Sequence, residues 1–281
     1  MEEYIKNKKR FWDEQSEKGI TVFSEGYKNK LIQIYKFLIP PGNRILEIGS
    51  GRGDLLAALK PSYGVGIDIS DKMVEKAKVK YPNLLFFEMD AHNLKLNQEK
   101  FDYIILSDVI NDVWDLQQIL EKIKTSCDAR TRIVVNYLNN LWKKPLELGS
   151  FLGMNLFVED QNWFTKQDLK NLFNLSGYDT IKDFSEIIVP INIPFVSNLI
   201  NRFFPKITPF SWFSLTNFLI AKPGIFQELS DQTVSVVIAA KDEKGNIDEL
   251  INRIPDMGKG TEIVFVEGHS SDGTYEKIKE S

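Results

Sequence analysis

RILEIGSGRGD, residues 44–54, decides how the rest of the chain is read. Ile45, Leu46 and Ile48 make a short apolar strand that runs straight into Gly49-Ser50-Gly51-Arg52-Gly53, and a helical stretch over 54–59 follows at once. Strand, glycine turn and helix start in that order form a nucleotide-type pocket. Glycine lets the backbone approach a ligand closely, and the free N–H groups of a first helical turn face the bound molecule. A dinucleotide fingerprint spaces its glycines G-x-G-x-x-G, with an acidic residue about 20 positions on. Here Gly53 comes one position early, and Glu47 stands two positions before the first glycine. That spacing disfavours a nicotinamide cofactor.

On the C-terminal side the chain alternates regularly. Strands are predicted over 63–68 (YGVGID), 84–88, 101–106 (FDYIIL) and 132–137 (RIVVNY). Helices lie between them: Ser70 reads as an N-cap ahead of Met73 and Ala77, and Leu116, Ile119, Leu120 and Ile123 share one stripe after about Asp115. Short links between alternating strands and helices imply parallel strands and right-handed crossovers, hence an α/β open sheet covered on both faces. Ligands of such sheets bind at the carboxyl ends of the strands, near the switch in strand order. Asp68, Asp90, Ser107 and Asp108 all fall just beyond a strand end.

A helix is predicted from Thr165, with Thr165 and Asp168 at capping-box spacing and Gly177 as its stop. Strands over 178–189 and 213–221 then close the sheet as a hairpin-like pair. The apolar, proline-rich insertion 191–212 between them is expected to pack on the sheet, with an interfacial or substrate-facing element as the alternative. On the N-terminal side, residues 4–38 are charged and helical in pattern, with anchors at Phe11, Trp12, Tyr27 and Tyr35. They are read as helices packed beside the core, or as a lid over the pocket.

The 281 residues are 43% hydrophobic and 26% charged, an ordinary globular balance. A formal net charge of −4 offers no general basic field, so no nucleic-acid partner is expected. The single cysteine, Cys127, excludes an intrachain disulfide. No apolar run approaches the ~18–20 residues of a membrane span, and the charged N-terminus lacks the apolar stretch of a secretory signal. A cytoplasmic setting is expected.

The pattern E-x-G-x-G-x-G over 47–53, taken with Asp68, resembles the class I S-adenosylmethionine-dependent methyltransferases across roughly residues 25–223. The resemblance implies a doubly wound Rossmann-like sheet of seven strands, S-adenosylmethionine as cofactor, and a small-molecule, glycan or lipid-linked methyl acceptor. It also implies roles. Gly49 and Gly51 would turn against the methionyl and ribose parts, and Glu47 would shape the site around the amino group. Asp68 would accept from both ribose hydroxyls, and Ile69 would lie on the adenine. Asp90 would accept from the adenine amino group, the Ala91 N–H would donate to the ring, and Ser107 would line the methionyl end. A sulfonium already activates its methyl group, so catalysis is mainly alignment, with a base only where the acceptor must lose a proton. Asp108, ahead of Asp112, is placed for that base or for orienting the acceptor. His92 is read as part of the turn, and Asn136 and Tyr137 as lining the acceptor pocket. No metal ligand set is predicted.

The tail has a different character. VSVVIAAKDEKGNIDELINRIP and TEIVFVEGHSSDGTYEKI resemble the opening of family 2 glycosyltransferases similar to dolichol-phosphate mannosyltransferase. Asp242-Glu243 and Asp272 would then match nucleotide contacts. The metal-holding D-x-D pair would lie further on, so sugar transfer by this polypeptide is not expected. The organisation expected is a methyltransferase domain over 1–224, its helical cap over 1–42, and a partial glycosyltransferase-like segment over 225–281. A non-catalytic cofactor-binding module that docks or regulates a glycosyltransferase is the alternative to an enzyme.

Overall fold

The computed structural model describes residues 2–17, 22–96, 99–151, 162–187, 200–201, 203–207, 210–224 and 233–281. Two compact units divide the chain, 1–224 and 225–281.

In the first unit, helices α1 (Glu2–Glu17) and α2 (Val22–Leu38) precede the sheet. The run 4–38 is thus two helices. Strand β1 (Arg44–Ile48), helix α3 (Asp54–Ala58), β2 (Tyr63–Asp68), α4 (Asp71–Lys80), β3 (Leu85–Glu88), β4 (Tyr103–Ser107), α5 (Leu116–Ile123) and β5 (Arg132–Leu138) follow. The unit continues with α6 (Lys143–Phe151), α7 (Lys166–Leu175), β6 (Tyr178–Glu186) and β7 (Thr216–Pro223). The seven strands form one sheet in the order β3-β2-β1-β4-β5-β7-β6. Six run in one direction, and β7 alone among the seven runs antiparallel, between β5 and β6. The expected doubly wound sheet with a closing hairpin-like pair is therefore the observed one, and strand order switches between β1 and β4.

Period-two alternation distributes the strand residues between two cores. Leu46, Ile48, Ile104, Leu106, Ile133 and Val135 face the layer of α5 and α7. Ile45, Ile105 and Val134 face α2, α3 and α4. Glu47 shares the face of Ile45, so a carboxyl group occupies a position in a buried strand. Local signals behave as their chemistry requires. The Ser70 hydroxyl accepts from the Met73 N–H at the start of α4, and Thr165 and Asp168 form a reciprocal capping box on α7.

Several expectations shift. The fourth strand opens at Tyr103 because the Phe101 N–H and Thr131 hydroxyl tie that residue into the turn before β5. The last strand opens at Thr216, and Phe210–Phe213 coils into a 3-10 turn instead. Residues 188–189 of the expected sixth strand, and 191–199, 202 and 208–209 of the insertion, lie outside the described residues. Within the described part of that insertion, Ile207 and Trp212 are exposed and do not pack on the sheet.

The second unit is a two-stranded parallel sheet, β8 (Thr233–Ala240) with β9 (Gly260–Glu267), and the helices Ile247–Arg253 and Thr274–Glu280. No described helix is long and apolar enough to cross a membrane.

Candidate active site

The glycine turn is laced to the end of β2. The Ser50 N–H donates to the Ile67 carbonyl (2.9 Å), and the Gly51 N–H donates to Asp68 Oδ2 (2.8 Å). The Ser70 N–H donates to Asp68 Oδ1 (2.9 Å). Two backbone donors thus fix both carboxylate oxygens of a residue only 9% exposed. Burial raises the Asp68 carboxyl above the usual range, against the pull of those donors. Gly51 has φ +52, and a Cβ there would project into open space. Its backbone is therefore presented bare to the cavity. Gly53 differs: it opens α3 at φ 75 and packs on Phe86, away from the cavity.

Beyond β3, Asp90 turns its carboxylate onto its own loop. Oδ1 accepts from the His92 N–H (3.0 Å) and pairs with Nδ1 (2.7 Å), while Oδ2 accepts from Asn93 (3.0 Å). His92 Nε2 accepts from the Asp115 N–H (3.1 Å), so the ring bridges this loop to the start of α5, with its proton on Nδ1. Both ring nitrogens are engaged, which makes His92 a strut.

Beyond β4 the backbone turns left-handed at Asp108, φ 55. Asp108 Oδ1 accepts from the Tyr27 hydroxyl (2.9 Å) and from Asn136 Nδ2 (2.6 Å). Tyr35 donates in turn to Asn136 Oδ1 (2.7 Å), and Thr216 to the Tyr27 oxygen (3.1 Å). Burial pushes the Asp108 carboxyl up to about 7, with Asp112 adding to the rise and the Tyr27 and Asn136 donors opposing it. Burial likewise lifts Glu47 to about 8, although its Oε2 accepts from the Leu56 N–H (3.0 Å) and Lys28 pulls the other way. Asn136 is fully buried behind Asp108 and Tyr137 lies in the core with Leu169 and Phe173, so neither lines the cavity. Residue 137 lies on the core face of β5, one step from the face of Asn136.

A cavity of about 180 Å³ at the carboxyl ends of β1, β2 and β4 is lined by Gly49, Gly51, Asp68, Ile69, Asp90, Ala91, Ser107 and Asp108. Glu47 lines a neighbouring cavity of about 340 Å³ that shares Gly49, Gly51, Ser107 and Asp108. Helices α1 and α2 supply walls of these two cavities, in keeping with the lid given as the alternative reading of residues 4–38. Tyr4, Lys8 and Trp12 line the first cavity, and Gln15, Tyr27 and Lys28 the second. Helix α1 is fastened across the strand ends. The Lys8 ammonium pairs with Asp112 (3.2 Å), Lys9 with Asp71 and Glu88 (2.8 Å each), and the Ser70 hydroxyl donates to Asp13 (2.6 Å). Amphipathic patterning anticipated helices there, but not which side chains would turn inward.

Charge tests what such a site suits. Asp68, Asp90, Asp108 and Asp112 line the first cavity against Lys8. A ligand carrying a sulfonium and an ammonium fits that imbalance, and the bare Gly51 backbone accommodates its bulk.

A protein-family model described as a methyltransferase domain matches residues 6–183, more than half of the chain. The chain is 34% identical over 88 residues to the ubiquinone/menaquinone biosynthesis C-methyltransferase of Campylobacter jejuni, covering 28% of this chain and 37% of that protein. It is 28% identical over 96 residues to demethylmenaquinone methyltransferase of Thermotoga maritima, covering 33% and 42%. The matches span well under half the length of these curated relatives. Among solved structures, a possible histamine N-methyltransferase of Thermotoga maritima superposes with a TM-score of 0.55 at 18% identity, covering 72% of this chain and 90% of that one. Magnesium protoporphyrin IX methyltransferase of Synechocystis, solved with S-adenosylhomocysteine, superposes with a TM-score of 0.50 at 17% identity, covering 71% and 84%. At these identities the superpositions speak for a common fold.

Proposed function

The chain belongs to the methyltransferase-domain family and has the fold of its S-adenosylmethionine-dependent members, and from that premise we propose that residues 1–224 methylate a small-molecule, glycan or lipid-linked acceptor. The observation that carries this reading is the acidic cavity beside the glycine turn, with Asp68 held by two backbone N–H groups. S-adenosylmethionine would supply an electrophilic methyl carbon. Within the reading, Asp68 binds the ribose hydroxyls, and Asp90, Ala91 and Ile69 bind the adenine. Gly49, Gly51, Ser107 and Glu47 hold the methionyl end. Asp108, oriented by Tyr27 and Asn136 and poised near neutrality, takes the proton of an acceptor O–H or N–H, or orients an acceptor that has none to lose.

Relatives named for quinone and porphyrin substrates support a small organic acceptor. The glycosyltransferase-like tail, read as a separate segment from 225, favours a glycan or lipid-linked one. In that tail the Asp242 carboxylate accepts from the Ser271 N–H (2.9 Å), and Asp272 from the Lys244 N–H (3.1 Å) and the Thr274 N–H (2.9 Å). These bonds join the two strand-end loops into one surface, which supports the nucleotide-contact reading.

Calorimetry with S-adenosylmethionine tests the cofactor, and an acceptor screen that detects S-adenosylhomocysteine tests the reaction. Saturable NAD binding with none of S-adenosylmethionine would overturn the reading.

A further inference from the structure

We propose that the rim formed by residues 141–148 and 207–213 of the first unit docks on an anionic lipid bilayer. Five large apolar side chains stand more than half exposed there: Leu141 (58%), Leu148 (60%), Ile207 (52%), Trp212 (61%) and Phe213 (59%). Scattered exposed apolar residues are ordinary, but a contiguous group marks an interaction surface.

These residues are held together by polar bonds beneath them. Trp142 Nε1 donates to the Phe213 carbonyl (3.0 Å), and the buried Asn139 amide donates to the Trp212 and Ser214 carbonyls (2.9 Å each). The Ser211 N–H donates to the Ile207 carbonyl (3.0 Å). The side chains are thus presented outward by a pinned backbone. Both segments emerge at one edge of the sheet: β5 ends at Leu138, and antiparallel β7 begins opposite it at Thr216. That is the edge on which the candidate active site lies.

The charge of the rim selects the occupant. In a chain of net charge −4, Lys143 and Lys144 of the first segment and Lys206, next to the second, stand against Glu147, which pairs with Lys144 (3.0 Å), and Glu186, on which Lys206 acts. All three lysines are exposed. Protein interfaces are depleted in lysine, whereas Trp and Phe interleaved with lysine suit the headgroup boundary of an anionic bilayer. Apolar groups enter the acyl boundary while the ammonium groups remain at the headgroups.

Co-sedimentation of the full chain with phosphatidylcholine vesicles, with and without an equal part of phosphatidylglycerol, tests this. Partition onto the phosphatidylglycerol vesicles is expected, falling as salt rises. Trp212→Ser combined with Phe213→Ser should lower it roughly tenfold or more, and Lys143→Glu with Lys144→Glu should lower it on the anionic vesicles. Thermal melting and S-adenosylmethionine affinity should stay as in the parent, which keeps this test separate from that of the cofactor site. As a second measurement on the folded parent, brominated lipid should quench fluorescence that Trp212→Phe removes. Absence of partition on both vesicles overturns the proposal, as does parental partition by the Trp212/Phe213 variant. A concentration-dependent dimer that the same variant abolishes, without vesicle binding, assigns the rim to a second copy and also overturns it.

Discussion

Asp108 and Glu47 are carboxyls that burial holds in the protonated form near neutrality, and this has a direct consequence for stability. Their folded values, about 7 and about 8, lie above those of an unfolded chain. The native state therefore binds more protons than the unfolded state between about pH 4 and pH 8, and stability must fall as pH rises through that window. The ligand-free protein should melt at higher temperature at pH 5 than at pH 8. Asp108→Asn and Glu47→Gln should each flatten the slope; an unchanged slope in both would show that these carboxyls are not raised. In the proposed role Asp108→Asn should also lower turnover about 10²-fold or more for an acceptor that loses a proton, with cofactor affinity kept. Asp68 makes a different prediction. Asp68→Ala should weaken S-adenosylmethionine binding by more than about 1.5 kcal/mol, the scale of a lost charge-assisted hydrogen bond, and unchanged calorimetric affinity would refute the assignment.

At the scale of elements, the join of β1 to α3 depends on how closely Gly53 meets β3. A Cβ at this residue would lie 2.5 Å from Phe86 Cζ and would have to hold φ 75. Gly53→Ala should therefore cost about 1–3 kcal/mol in denaturant unfolding. Helix α1 is held differently. Its fastenings are mainly ionic and polar, beside one ring contact of Tyr4 with Trp114 (5.3 Å between centroids), and neither buried hydrophobic cluster draws a residue from it. Deleting residues 1–17 should leave the first unit folded by circular dichroism. It should also speed cofactor dissociation at least about tenfold in stopped flow, because Tyr4, Lys8 and Trp12 wall the cavity.

For the whole molecule, the two hydrophobic clusters draw every member from residues 31–221. A chain cut after Gly224 should stay folded and bind S-adenosylmethionine with parental affinity by calorimetry. Unfolding of that product would place the tail within the core of the first unit. Among the described residues the second unit has two strands and two short helices, too little to bury a core of its own, and a 225–281 fragment should show no cooperative melt.

The sheet, its closing pair and the strand ends were legible in the sequence because they rest on local rules. Alternation of strand and helix leaves few topologies, and Asp68, Asp90, Ser107 and Asp108 stand out as polar residues directly after apolar runs. Contacts made at long sequence separation carry no such mark. Tyr27 meets Asp108 across 81 residues, and nothing in the local pattern separates it from the core aromatic Tyr35. The same blindness put Tyr137 in the acceptor pocket, when the pleat of β5 turns it into the core. It also packed the apolar groups of the insertion on the sheet, whereas Trp212 stands exposed. Periodicity and glycine spacing by themselves pointed to the strand ends where the cavity beside Gly49 and Gly51 lies. Only tertiary packing decided which side chains close it, because Tyr4, Lys8 and Trp12 wall it from α1 and Tyr27 reaches Asp108 from α2.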